Sequence, residues 1–387
     1  MAISNNSHDS REHKSKKESK WSTLPGFRES WRGLLAIVVI ALFCELPGLP
    51  WPVTVHKLLL YIDHVLPPIQ GRGLFIDLLH FNYVVICLAV GIIIRNVIGV
   101  PKSWEKGLSY YSVFLHAGII MLGSQYLLRD MLKLGPITII VMVIFVFGTA
   151  FFFAFLSRLF KLEDSLAGVL SAGFAMCGVT ALVATAPMVR AKNEQITYAI
   201  AATVSFGIVC MIILPPIARI FDITEYAFGV VSATGVPNSA QVIASGFMYG
   251  FEAGKVAGFV NIGRIVLIPA GALFIYVLTM TKDVLASEKI SFLQTIREKF
   301  PIYVIGFVIV WGANCLHFFP KPAVFAMEKV MIWFFSLSFV GLGLQTNLAE
   351  VRKAGVKGLI VGYAGGCVKL ILALVVIVIL MKYGYID

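Results

Sequence analysis

Runs of about twenty apolar residues recur along the chain, and nothing else limits its fold as tightly. A run of that length suits a helix crossing a hydrocarbon core about 30 Å thick. In lipid every backbone polar group needs an internal partner, so only helices and closed barrels span a membrane. Barrel strands would show as alternating segments of about ten residues, and these runs do not alternate. The composition agrees. Hydrophobic residues make up 58% of the 387 and charged residues 14%, with a mean hydropathy of +0.87. A water-soluble domain carries about a quarter charged residues. The expected fold is an all-α polytopic membrane protein.

Eleven transmembrane helices are expected, at about 33–49, 80–99, 107–127, 136–159, 165–189, 196–218, 225–247, 256–280, 301–319, 323–345 and 356–381. Residues 1–32 read as a polar cytoplasmic tail, with no cleaved secretory signal. Residues 50–79 form a long connection with an amphipathic, interfacial patch from Val53 to Leu66. An amphipathic cytoplasmic linker at 283–299 divides a first transmembrane part (33–282) from a second (300–387). The net charge of +11 is a topology signal rather than a nucleic-acid footprint, because seven of the 32 basic residues lie within the first 32 positions. With the N-terminus inside, the cytoplasmic side receives about twice as many Lys and Arg as the other side. The expected location is a bacterial inner membrane.

Two internal likenesses stand out. The stretch 122–135 matches 342–355, with Leu122/Leu342, Gly123/Gly343, Gln125/Gln345, Leu128/Leu348, Lys133/Lys353 and Gly135/Gly355 identical. Seven expected spans separate the copies, so they face opposite sides of the membrane. That is the pattern of the inverted repeats of secondary transporters. A weaker likeness links Ser171–Ala186 to Ser232–Ser245 through Thr180/Ser239, Ala181/Ala240 and Val183/Val242. The span count gives these two segments one direction, so an antiparallel crossing requires a re-entrant segment or a different count.

The chemistry concentrates where those two segments break. Cys177-Gly178-Val179-Thr180 and Pro237-Asn238-Ser239-Ala240-Gln241 read as two half-helix starts, hence two discontinuous helices. Proline in the first turn and Asn, Ser or Thr beside it are N-terminal residues of helices. A helix that begins in mid-membrane exposes unpaired N–H groups and a partial positive charge, so two such ends form an anion site. Arg264 lies deep in an apolar run and would add a full charge, at an insertion cost of about 2.5–3.5 kcal/mol. Asn261 precedes it by three residues, on the same helix face. The expected substrate-binding residues are Gly178, Thr180, Asn238, Ser239, Gln241, Asn261 and Arg264. Cys177, Gln125, Gln345, Asn347 and Lys369 are candidates for a cavity or ion site. Each has a plainer reading: glycine and proline kink membrane helices, Arg264 can lock a helix C-terminus or pair with Glu328, and Lys369 can snorkel or pair with a carboxylate. His116, on an apolar helix, reads as an interior histidine or a proton relay.

Other chemistry is missing from the sequence. No His-Glu-x-x-His motif occurs, and Gly250–Lys255 has the wrong spacing for a phosphate loop, with Val256 where Ser or Thr is required. The six cysteines all fall in expected spans without a Cys-x-x-Cys pair, so neither a disulfide framework nor a zinc site is expected. No cofactor and no catalysis are expected.

The residues Cys177–Ala181, the following 186–201, Ala240–Gly246 and Arg264–Leu267 resemble the sulfate exporter family of bacterial inner-membrane proteins, over about residues 33–381. That family is grouped with the sodium/proton antiporters and bile-acid symporters. The resemblance implies a panel domain and a core domain with two unwound, crossing helices. It carries Gly178, Thr180, Ala240, Gln241 and Arg264 over as functional positions. The sequence departs from the family at Pro237-Asn238, where a His–acid pair is usual, and at Asn261, where a lysine is usual. The expected function is a secondary active transporter, an exporter of a small anion such as sulfate or a sulfonate, working by alternating access. An anion channel, a non-transporting receptor or subunit, and a membrane enzyme using Cys177 or His116 are the alternatives. The expected partners are the anion and the lipid bilayer. A sodium ion or proton is the candidate coupling ion and a homodimer the candidate assembly, with no nucleic acid.

Overall fold

Proline, glycine and small polar caps decide where the helices of this chain start and stop. The computed structural model describes residues 27–44, 83–127, 135–280, 301–347 and 356–385. The expected tail up to residue 26, the 50–79 connection, the 283–299 linker and much of both repeat copies lie outside the described residues.

The helices are α1 (Phe27–Cys44), α2 (Tyr83–Ile93, with a wider turn at Ile94–Ile98), α3 (Lys102–Leu108) and α4 (Tyr111–Leu122, ending in a tight turn at Gly123–Gln125). Next come α5 (Gly135–Leu159), α6 (Asp164–Ala175), α7 (Val179–Thr185), α8 (Asn193–Ile220), α9 (Glu225–Gly235) and α10 (Ser239–Tyr249). The chain continues with α11 (Phe251–Val266), α12 (Ile268–Thr279), α13 (Ile302–Cys315), α14 (Lys321–Gln345) and α15 (Val356–Lys382). Each of the eleven expected stretches holds a helix or a helix pair. Among the described residues, five helical segments are long and apolar enough to cross a bilayer alone, and α11 with α12, bent by 55°, makes a sixth. Three further apolar helices are shorter, at Ser30–Cys44, Tyr83–Ile98 and Ile302–Cys315. The chain is a multi-pass α-helical membrane protein. Ile140, Ile144, Phe151 and Phe155 lie exposed along α5, and Ile371, Leu372, Val375 and Ile379 along α15. Apolar faces of that size suit lipid, not water.

Local chemistry explains the boundaries. Thr224 caps α9 by accepting from the Ala227 N–H at 3.2 Å. Gln195 closes the start of α8, accepting from the Lys192 N–H and donating to Glu163 of the α5–α6 loop at 2.7 Å. The Glu225 carboxylate accepts from the Glu252 and Ala253 N–H groups, so one helix caps the start of another. Arg219 does the reverse at the end of α10, donating to Tyr249 O at 2.8 Å while lying over the Tyr249 ring.

The helices fall into two groups. In one, α4 and α2 pack along α14, α13 packs on α4, and α1 crosses α3. That last crossing is very close: a Cβ on Gly33 would meet Trp104 O at 2.2 Å, and one on Gly107 would meet Ser30 O at 2.2 Å. In the other group α5, α6, α8, α9, α10, α11, α12 and α15 pack together. Contacts of α10 with α14 and α2, and of α11 with α4, join the groups, and one apolar core that includes Phe247 of α10 and Phe335 of α14 runs across the join.

Candidate functional site

Besides the bent α11–α12 pair, two helices among the described residues are interrupted, and their interruptions touch. The α6–α7 break runs through Met176, Cys177 and Gly178, and the α9–α10 break through Val236, Pro237 and Asn238. The second break follows from Pro237, which has no N–H to continue the helix and forces the residue before it to be extended. Val236 is accordingly at φ −77°, ψ 131°. Asn238 then starts α10, its side-chain oxygen accepting from the Ala240 N–H at 3.1 Å. The first break depends on Gly178, whose φ of +74° lies in the region that favours glycine. A Cβ there would also meet Asn238 Cα at 2.9 Å. The crossing therefore needs a glycine on one strand and a short cap on the other.

The two buried cations serve the opposite ends of these half-helices. Arg264, with 1% of its surface exposed, donates to the carbonyls of Ala233, Val236 (3.0 Å) and Pro237 (3.1 Å), the last turn and exit of α9. Lys369, from α15, donates to Phe174 O in the last turn of α6 at 2.7 Å. A helix C-terminus carries about half a negative charge and carbonyls without intrahelical donors. Each cation meets both needs in the protein interior.

A cavity of about 380 Å³ opens beside the crossing. Its wall on one side is Cys177, Val179 and Thr180 of the first break and Asn238, Ser239 and Ala240 of the second. The facing wall comes from the other helix group: Ser109, Ser112 and His116 from the α3–α4 turn and α4, Tyr303 from α13, and Gln345 from α14. The volume suits a small ligand, and the first turn of α10 faces it.

The expected site residues divide. Thr180, Asn238, Ser239, Cys177 and Gln345 line the cavity, and Gly178 forms the crossing behind it. Asn261 sits one shell back, accepting from the Ser239 hydroxyl at 3.1 Å. Gln241 is buried against Gly207 of α8 and donates to Val204 O at 2.9 Å. Of the readings of Arg264, the lock on a helix C-terminus is the one seen: the guanidinium is turned onto the α9 carbonyls and is not among the lining residues. Lys369 likewise holds a helix end. Gln125 donates to Ser124 Oγ and, at 3.4 Å, to Val324 O, at the end of α4. Asn347 follows the end of α14. The sequence reading did not pick out Ser109, Ser112, Tyr111 or Tyr303. A signal for three of the wall residues was present, since Ser109, Ser112 and His116 recur at helical spacing on one face.

Fold and site together define a polytopic helical membrane protein with a polar pocket between two helix groups. The family described as Conserved hypothetical protein 698 matches residues 33–362, and the chain belongs to it. It is similar to a UPF0324 membrane protein of Nitratidesulfovibrio vulgaris, 36% identical over 341 residues, covering 87% of this chain and 94% of the relative. A second UPF0324 membrane protein of that organism is 34% identical over 317 residues, covering 79% and 86%. A UPF0324 membrane protein of Clostridium tetani is 27% identical over 286 residues, covering 70% and 81%. No solved structure matches the chain.

Proposed function

We propose that the protein is a secondary active transporter of a small oxyanion, such as sulfate or a sulfonate, and that it exports its substrate by alternating access. One observation carries the reading: a pocket at the contact of two broken helices, lined from both helix groups. The start of α10 offers N–H groups without intrahelical acceptors and a partial positive charge, which suit an anion. The Thr180 hydroxyl and the Asn238 side-chain amide supply further donors. With Arg264 and Lys369 holding the C-terminal ends, the negative ends of the broken helices are offset while the start of α10 stays open to the pocket. Alternation requires one group to move against the other across the apolar contacts that join them, such as Phe247 against Phe335.

On this reading the chain crosses a bacterial inner membrane, with its N-terminus in the cytoplasm. An inverted repeat relates the two copies around Gly123 and Gly343, and matched contacts support it. A Cβ on Gly123 would meet Phe307 O of α13 at 2.7 Å, and one on Gly343 would meet Leu88 O of α2 at 2.6 Å. Asn314 of α13 donates to Tyr126 O at 3.0 Å, and Asn96, at the end of α2, donates to Thr346 O at 2.9 Å. Tyr126 and Thr346 stand at the repeat offset. The test is a thermal-shift screen of the purified protein against sulfate, phosphate and methanesulfonate, because a ligand of the folded form raises its melting point. Stabilisation by at least one oxyanion that Ser239→Val removes is expected. Stabilisation of that variant equal to wild type would count against the pocket as the site.

A further inference from the structure

The two interrupted helices turn back on themselves. α9 and α10 run side by side, not end to end. Near their break the Ser232 hydroxyl of α9 donates to Val242 O of α10 at 3.0 Å. Further out, the Phe228 and Tyr249 rings stack with centroids 4.0 Å apart. Furthest out, the Tyr249 hydroxyl donates to Ile223 O, Arg219 donates to Tyr249 O at 2.8 Å, and the Glu225 carboxylate accepts from the Glu252 N–H at 3.0 Å. The start of α9 and the end of α10 therefore share one face of the protein.

The first interrupted helix has the same form. A Cβ on Gly173 of α6 would meet the Leu182 side chain of α7 at 3.3 Å, and one on Gly168, further from the break, would meet Val189 at 2.7 Å. At the mouth, Gln195 donates to Glu163 at 2.7 Å, so the start of α8 meets the start of α6. At 1.5 Å per residue, the 12 residues of α6 and the 11 of α9 reach about 16–18 Å, roughly half of a hydrocarbon core. The 25 residues of α5 span all of it, and its ends mark opposite faces. The hydroxyls of Thr138, near its start, and Tyr226, at the mouth of α9–α10, lie 3.4 Å apart. Its other end, where Arg158 donates to Leu278 O, leads through a short loop into α6.

We infer that α6–α7 and α9–α10 are re-entrant hairpins, the first inserted from the cytoplasmic face and the second from the outer face, with their tips meeting at the oxyanion pocket. The turning back stands on the contacts alone; the naming of the faces rests on the cytoplasmic N-terminus of the transporter reading above. Two of the eleven expected crossings, at 165–189 and 225–247, are thereby hairpins, and the copies around Gly123 and Gly343 still face opposite sides. The likeness of Ser171–Ala186 to Ser232–Ser245 gains its meaning, since α6 and α9 enter in opposite directions. The charges agree: Arg190 and Lys192 join Arg158 and Lys161 on the cytoplasmic side, Arg219 joins Lys255 on the other, and the cytoplasmic excess of Lys and Arg grows. The far wall of the pocket belongs to the cytoplasmic ends of α4, α13 and α14, at Ser109, Tyr303 and Gln345. Those ends lie together, with His116 stacked on Tyr303 at 3.9 Å and a Cβ on Gly341 meeting Tyr111 at 2.6 Å. The pocket is loaded from the cytoplasm, as export requires. The α9–α10 hairpin stands between it and the outer face, and its Phe247, 5.3 Å from the Phe335 ring, makes the contact that parts for release.

The test is labelling with a membrane-impermeant maleimide, with wild type setting the background of the native cysteines. Cysteine is placed at exposed positions: Asp164→Cys and Glu194→Cys at the mouth of the first hairpin, Phe221→Cys and Glu252→Cys at that of the second. The first pair is expected to label only in inside-out vesicles and the second only in spheroplasts. Straight crossings would set the members of each pair on opposite faces, and that split overturns the proposal. Both pairs on one face overturns entry from opposite sides, and the pairs on exchanged faces overturns the naming of the faces. A position that stays unlabelled in both preparations is settled by a protease site inserted beside it, cut from one face alone. Thr180→Cys is expected to label from the cytoplasmic face only, and from both faces once combined with Phe335→Ala or Phe247→Ala in variants that elute as monodisperse protein. No outer labelling with either variant overturns the gate. None of these readouts needs an anion, so a failure to bind sulfate would sink the transporter reading and leave the hairpins standing.

Discussion

Arg264 and Lys369 do one job from different helices. A charged group buried this completely is costly, and each is matched to the carbonyls of a helix that stops inside the protein. Replacing Arg264 by Leu leaves three buried carbonyls without donors. A loss on the order of 3 kcal/mol is expected, read as a fall of several degrees in melting temperature with or without anion. Arg264→Lys, with one donor head in place of a fork, should recover only part of it. Gly178→Ala meets two obstacles at once, a positive φ and Asn238 Cα at 2.9 Å. It is expected to lower stability by about 1–3 kcal/mol and to abolish anion-induced stabilisation, whereas Gly148→Ala, with open space around it, should do neither. The sequence sets Arg264 inside an apolar run and offers a helix C-terminus as its partner, but not which helix. The carbonyls it holds lie 27 to 31 residues away, and the one held by Lys369 lies 195 away. Neither contact leaves a local pattern.

At the scale of elements, the breaks were the most legible part of the chain. Gly-Val-Pro followed by Asn-Ser reads directly as an end and a new start, and α9 and α10 follow it. The bend at Leu267 and the turn at Ser109–Tyr110 were not anticipated, although Pro269 lies just beyond the first. Proline early in a helix is compatible with one straight start as well as a bend, so packing decides. The repeat copies make a prediction at this scale. Asn314, buried at the α4 terminus, donates to both Ser124 O and Tyr126 O. Asn96, more exposed, donates to Ile92 O and Thr346 O. Asn314→Ala is expected to cost about 1–2 kcal/mol and Asn96→Ala less, with additive effects in the double variant, measured by thermal unfolding. Strong coupling between them would argue against two separate, equivalent caps.

For the whole molecule, composition already decides the class, since few charges and long apolar runs leave only a helical membrane protein. The division into two helix groups with a pocket between them was not readable from periodicity. It depends on which helices share a face, and a helix that is apolar all round hides that. On the pocket's far wall, Ser109, Ser112 and His116 share one face at helical spacing, whereas Tyr303 sits singly in an apolar helix and leaves no pattern. The central claim is that this pocket carries an oxyanion across the bilayer by alternating exposure. The most direct measurement is counterflow of radiolabelled sulfate in proteoliposomes preloaded with unlabelled sulfate. Saturable accumulation that depends on the internal anion, and that Ser239→Val and Gly178→Ala abolish, is the predicted result. Folded wild-type protein that supports no counterflow of sulfate, phosphate or methanesulfonate, or that passes them as channel-sized currents, would contradict it.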